Sequence, residues 1–265
     1  MIPKTVDEQL LYSTLRIELL SSNNELLGIG TGFIFIKKVN QNQKKIFLIS
    51  NKHVLKGGKN VRITFIKRKP DNSGPELGSV HQFIIRDYMD VYSEHPNDEI
   101  DIACLNITEV IIRLQNQIFY RYLDESLLAT FDEEELDVAQ RVTFIGYPNN
   151  RYDQAHNLPI IRTGLIASHP KIDFNGIKQF IIDAQVFPGS SGSPVMINLT
   201  YENYKNGKIV IGKPKIRLLG IIAATMVRNN QIKSIPTSKN LISQEVIGLG
   251  IVYKSTALKE LINLV

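Results

Sequence analysis

The sequence predicts an all-β fold, a barrel or a sandwich closed by one C-terminal helix, on three observations. About a dozen short runs rich in Ile, Val, Phe and Thr recur between turns of Gly, Pro, Asn and Ser. The final stretch carries apolar residues at helical spacing behind a hydroxyl residue that can cap it. No apolar run approaches the roughly 18 residues needed to span a bilayer.

The elements follow in order. Thr5 to Leu20 opens as a short helix and then alternates like a strand over Ser13–Leu19. Gly28-Ile29-Gly30-Thr31-Gly32 leads into Phe33–Ile36. A polar turn at Asn40–Gln43 then precedes Ile46–Ser50, which reads as a hairpin. The glycines precede neither a helix nor a Gly-Lys-Ser/Thr sequence, so they do not read as a phosphate loop. Val61–Ile66 and Phe83–Ile85 are strands on either side of a long loop, Lys67 to Gly78. Ile100–Ile107 is another strand, and Ile111–Leu128 includes a helix. The second half reads as strands at Arg141–Gly146, Ile160–Ile166, Phe180–Asp183, Val195–Ile197, Ile209–Ile211, Leu218–Ala224 and Val246–Tyr253. Ser255–Leu264 is the closing helix, capped by Ser255 or Thr256.

Composition bounds the function. With 265 residues, 43% hydrophobic and 22% charged, the chain is long and apolar enough for a large core and is not disordered. The net charge of +5 comes from scattered lysines and arginines. The densest patch, Lys67-Arg68-Lys69, reads as a solvated loop, so nucleic acid is not an expected partner. The single cysteine, Cys104, lies in an apolar run and reads as a small buried hydrophobe. With no intramolecular disulfide possible, a reducing compartment suits the chain. There is no Cys/His cluster of metal-ligand spacing, and neither metal nor cofactor is expected. The amino terminus has no uninterrupted apolar segment behind a basic start. The expected location is therefore cytoplasmic, without a membrane partner.

The stretch with the most chemistry is Phe187-Pro188-Gly189-Ser190-Ser191-Gly192-Ser193-Pro194-Val195. Its glycines allow successive amides to face one concavity, the arrangement that meets negative charge developing on an oxygen. Ser191 is the candidate nucleophile, because it alone has Gly two places before and one place after it. By itself the stretch is equally a surface turn. A serine nucleophile needs a base and a group to orient that base. His53 follows the strand Phe47–Ser50, where apolar neighbours can fix it at a rim. Asp101 lies between Ile100 and Ile102, where an unpaired carboxylate would be costly, so it should have a partner.

Taken together, these residues resemble the chymotrypsin-like serine proteases. His53, Asp101 and Ser191 stand in that family's order, and Gly189-x-Ser191-Gly192-x-Pro194 matches its motif except that Ser193 replaces a second glycine. Asn51–Val54 and Ser191–Val195 look like bacterial glutamyl endopeptidases. Ile145–Pro148, Thr163–Ile166 and Gly248–Ile251 look like the protease domain of the HtrA group. The resemblance runs from about Gly28 to Val265.

It implies two six-stranded antiparallel β-barrels. The first, in residues 1–130, would carry His53 and Asp101 with insertions; the second, in residues 131–265, would carry Ser191 and the terminal helix. The implied activity is that of a serine endopeptidase in which His53 takes the proton of Ser191, Asp101 orients the imidazole, and the N–H groups of Gly189 and Ser191 form the oxyanion hole. The specificity pocket would be walled by Gln185, Ala223, Ala224 and Thr225. Gln185 stands where trypsin-like members carry an aspartate, so a basic preference is not implied. The glutamyl endopeptidase likeness points to His169 or Lys254 as counter-charges for an acidic one. Ser190 stands where zymogens carry the aspartate that a liberated N-terminus would pair, so that switch is absent. The partner implied is a polypeptide substrate, with room for a regulatory protein or an additional domain. Three alternatives stay open. One is a latent or catalytically silent module that binds peptide or a protein partner; the second is an esterase or other acyl transferase using the same triad; the third, with least support because the basic charge is scattered without interleaved aromatics, is a nucleic-acid binder.

Overall fold

Hydrophobic alternation builds one sheet and one barrel. The structure is a computed structural model that describes residues 3–41, 43–199, 202–205, 208–211, 215–233 and 240–265, with the backbone alone described at 202–205, 208–211, 224–233 and 240–246. The chain begins with α1 (Val6–Leu10), whose Thr5 and Glu8 form a reciprocal capping box. The first sheet contains β1 (Thr14–Leu20), β2 (Leu26–Lys38), β3 (Lys44–Ser50), β4 (Asn60–Arg68), β5 (Pro75–Arg86), β6 (Tyr92–Glu94), β7 (Ala103–Asn106), β8 (Ile118–Phe119) and β9 (Leu123–Asp124), with α2 (Lys52–Leu55) and α3 (Thr108–Leu114) between them. Then come β10 (Arg141–Gly146), β11 (Ile160–Ile166), β12 (Gln179–Asp183), β13 (Pro194–Leu199), β14 (Glu202–Lys205), β15 (Lys208–Ile211), β16 (Lys215–Lys233), β17 (Asn240–Lys254) and α4 (Ser255–Leu264).

Six strands, β10-β11-β12-β17-β16-β13, close into a barrel as expected, and β14 pairs with β15 apart from it. The first half differs from the expected six-stranded barrel. Its pairing path runs β5-β4-β1-β2-β3-β7-β6 without closing, and β8 and β9 add to β4 and β2, giving nine strands. The extra strands come from segments that read as loop or helix. β5 begins at Pro75, so the expected Lys67–Gly78 loop shrinks to a tight hairpin. The segment after α3 supplies β8 and β9, whose two residues each are too few to show a period.

Period-two alternation explains why the central strands are buried on both faces. In β2, Ile34 and Ile36 pack into the core of the first sheet, while Phe33 and Phe35 face a second core shared with the barrel. β3 repeats this with Ile46 and Leu48 against Phe47 and Ile49. That shared core also takes Ile145, Met196, Leu218 and Ile221 from the barrel and Ala257, Leu258, Leu261 and Ile262 from α4. Each of the Ile, Leu, Met and Phe side chains among these contributes about 1.5–3 kcal/mol on burial, so the seam between the halves is a real core. Lys37 Nζ caps the end of α4, donating to Ile262 O at 2.8 Å and Val265 O at 2.9 Å. At its start, Lys254 rather than Ser255 or Thr256 is the cap residue, and the Ser255 hydroxyl turns inward to donate to Ala129 O. Among the described residues no helix is long and apolar enough to cross a membrane.

Candidate active site

His53 sits in α2, a single turn that cannot stand alone and is fixed by what surrounds it. Val54 and Leu55 are buried, and Lys52, also buried, donates from Nζ to Asn97 O at 2.9 Å. Val54 is seated on Gly30, where a Cβ would come within 2.4 Å of it. With its neighbours pinned, His53 points outward, its side chain 52% exposed.

Asp101 precedes β7 and is held by buried Ile100 and Ile102 on either side. Both of its carboxylate oxygens go to the same residue. Oδ1 accepts the His53 backbone N–H at 3.0 Å, and Oδ2 lies 2.5 Å from His53 Nδ1. Asn51 Nδ2 donates to Asp101 O at 2.6 Å, and Tyr253 Oη donates to Glu99 O at 2.7 Å, steadying the loop. A carboxylate at Nδ1 holds the proton there and leaves Nε2 as the acceptor.

Ser191 lies between Gly189 (φ +87°) and Gly192 (φ +89°). Neither glycine can be replaced without collision. A Cβ on Gly189 would meet Tyr147 O at 2.4 Å, and one on Gly192 would meet Thr31 O at 1.9 Å. Four successive carbonyls around the serine are tied off by donors behind the turn. Pro188 O accepts from Asn149 N–H at 2.6 Å, Gly189 O from the Thr31 hydroxyl at 2.7 Å, Ser190 O from Ser193 N–H at 3.0 Å and Ser191 O from Thr31 N–H at 2.9 Å. A trans peptide points its N–H opposite its C=O, so holding Pro188 O and Ser190 O turns the Gly189 and Ser191 N–H groups the other way. Neither donates to an acceptor among the described residues.

His53, Ser191 and Gly189 line one cleft of about 730 Å³, with Leu27, Ile29, Val54, Val186, Phe187 and Ala223 among its walls. The Ser191 hydroxyl donates to Ala223 O at 3.0 Å. Of the residues expected to wall a specificity pocket, Ala223 lines this cleft. Gln185 does not: its side chain is exposed, while its carbonyl accepts from the Arg162 guanidinium. The side chains of Ala224 and Thr225 lie outside the described residues. His169 is exposed and Lys254 is buried 2.6 Å from Asp173, and neither lines the cleft. Sequence reasoning missed Thr31 and Asn149. The signal for Asn149 was the Pro-Asn-Asn sequence, since asparagine tolerates the left-handed backbone found at Asn149 (φ 46°) and Asn150 (φ 55°).

The arrangement supplies what acyl transfer requires: a hydroxyl, an oriented imidazole and two unused amide donors opening on one cleft. The family model described as trypsin-like peptidase domain matches residues 30–200, a span that includes all three candidate residues. No curated protein sequence matches the chain. Among solved structures, the chain is similar to the active form of the Rv3671c protease from M. tuberculosis, with a TM-score of 0.52 and 16% identity, over 99% of this chain and 87% of that one. At that identity the likeness is one of fold, and the fold is chymotrypsin-like.

Proposed function

Since the chain belongs to the trypsin-like peptidase domain family, we propose that it is a serine endopeptidase that hydrolyses peptide bonds through His53, Asp101 and Ser191. The observation that carries this reading is the pair of unused amides at Gly189 and Ser191, turned away from four tied-off carbonyls and beside the serine hydroxyl. In the proposed reaction Ser191 Oγ attacks the carbonyl carbon and its proton passes to His53 Nε2. The carbonyl oxygen becomes an oxyanion held by the two amides, and the imidazolium then protonates the leaving amine. Water repeats the sequence on the acyl-enzyme, releasing the acid and free Ser191. Asp101 holds the tautomer and stabilises the imidazolium.

The cleft walls favour an uncharged, apolar substrate side chain. Among the described residues no Asp or Glu lines the cleft to attract a basic residue; His169 and Lys254 lie elsewhere, and Lys56, the lysine in the lining, is paired with Glu94 at 3.1 Å. One observation favours a second reading, a latent module that binds peptide without cleaving it: the Ser191 hydroxyl donates to Ala223 O, and the hydrogen bonds of His53 go to Asp101.

Intact-mass labelling with a fluorophosphonate separates the two. Endopeptidase activity predicts one covalent adduct on the native chain and none on Ser191→Ala, with labelling strongly slowed in His53→Ala. No adduct on the native chain would withdraw the catalytic reading and leave the binding module.

A further inference from the structure

A polar chain runs from the first sheet to the peptide that presents the Gly189 N–H. Its root is Glu18 on β1, only 8% exposed. One carboxylate oxygen is paired with the Arg16 guanidinium, and the other lies 2.9 Å from Arg62 Nη1 on β4. A buried carboxylate with two cationic partners immobilises both. Arg16 reaches onward: its Nε donates to Asn150 Oδ1 at 2.7 Å, and the guanidinium lies over the Tyr152 ring, 5.4 Å from its centroid.

Asn150 belongs to the turn Tyr147–Arg151 at the end of β10. Tyr147 and Pro148 are buried and seat the start of this turn, but Asn149 and Asn150 are exposed and both hold left-handed backbone. Among the described residues, the bond from Arg16 is the side-chain hydrogen bond that holds this pair. The turn matters because Asn149 N–H grips Pro188 O at 2.6 Å and because Gly189 packs directly on Tyr147 O. Ser190 supplies no charged anchor within the nucleophile turn, and its buried hydroxyl has no partner among the described residues. The ionic anchor comes from across the seam.

We propose that Arg16, fixed by Glu18, is a positioning residue that sets the Gly189 N–H through Asn150 and the Asn149-to-Pro188 hydrogen bond. The oxyanion hole is thereby competent only while the first sheet is docked on the barrel. The consequence for turnover rests on the endopeptidase reading; the clamp itself does not.

Two substitutions test it. Asn150→Gly removes the acceptor while tolerating the left-handed backbone, and Arg16→Ala removes the donor. Each should raise the exchange rate of the Asn149 amide at least tenfold, measured by NMR. Each should also lower kcat and the fluorophosphonate labelling rate about tenfold, a part of the 10²–10³ that a whole oxyanion donor supplies, with KM within about twofold. Asn150→Asp, which keeps an acceptor for Arg16, should restore both readouts. If Arg16→Ala does not fold, Asn150→Gly carries the test alone. Exchange at Asn149 unchanged in Asn150→Gly would overturn the clamp, whether or not the protein is active. Absence of labelling in the wild type would instead remove the endopeptidase reading, and the exchange data would still decide the clamp.

Discussion

The Ser193 hydroxyl occupies the space that a side chain at Gly146 would need. A Cβ built on Gly146 would lie 2.2 Å from Ser193 Oγ and 2.7 Å from Thr31 Oγ1. The serine that replaces the family's second glycine is therefore accommodated by a glycine on β10, and it does not distort the nucleophile turn. Its hydroxyl is buried and has no partner among the described residues. Burying an unpaired hydroxyl costs about 1–3 kcal/mol, so Ser193→Ala should be neutral or stabilising. Gly146→Ala should destabilise by about 1–3 kcal/mol through overpacking. Chemical denaturation of both variants and of Gly146→Ala combined with Ser193→Ala forms a double-mutant cycle. A loss in the pair equal to the sum of the two singles would show that these residues do not share the space.

Thr31 holds the nucleophile turn from beneath. It is fully buried; its hydroxyl donates to Gly189 O and accepts from Tyr147 N–H at 3.1 Å, while its N–H donates to Ser191 O. Thr31→Val keeps the shape and strands one carbonyl and one amide, each costing about 1–3 kcal/mol. The expected result is a lower melting temperature and, if the chain is an endopeptidase, a kcat reduced by up to about 10²-fold. Thr31→Ser should retain most of both. An active, equally stable Thr31→Val protein would remove Thr31 from any account of the turn.

Legibility in the sequence followed the range of the interactions. The strands of the barrel and α4 were readable because each has its own apolar pattern, as in Phe180–Asp183 or Leu258, Leu261 and Ile262. β8 and β9 were not, because two residues carry no period and their pairing with β4 and β2 is purely tertiary. His53, Asp101 and Ser191 were readable from motif and order, and the structure brings His53 onto Asp101 and into one cleft with Ser191. Thr31, Arg16 and Asn150 act through distant partners, 134 residues apart for Arg16 and Asn150 and 158 for Thr31 and Gly189. No local pattern announces such bonds. Gln185 shows the reverse: its alignment with a specificity position was legible, but its side chain points to solvent.

Acid should weaken the fold through Glu133. This side chain is 8% exposed; burial pushes its carboxyl up, but backbone N–H groups, Thr130 N at 3.1 Å among them, outweigh that and hold it below the ordinary value. A folded-state pKa below the unfolded one contributes stability that is present above the unfolded value, roughly 4.3, and is lost as pH falls through the folded one. Glu133→Gln should therefore melt below the wild type at pH 7, and the gap should narrow below about pH 4. A gap undiminished at pH 3 would mean that packing, and not charge, distinguishes the two side chains.

Cys104 offers a direct reading of how firmly the seam is closed. It lies on β7, 1% exposed, in the core shared by the first sheet, the barrel and α4, and burial pushes its thiol up to about 12. Only the thiolate alkylates, so at pH 8 the folded protein should react with iodoacetamide far more slowly than a free thiol, whose pKa is about 8.5. Reaction then requires opening of the seam, and its rate should report the opening equilibrium. Addition of urea well below the unfolding midpoint should accelerate labelling smoothly. Loosening α4 by Leu261→Ala, a cavity costing about 2–5 kcal/mol, should accelerate it further without denaturant. Labelling of the native protein as fast as that of the unfolded chain would show that the thiol is reached without opening the seam, and would separate the stability of the shared core from the protection of Cys104.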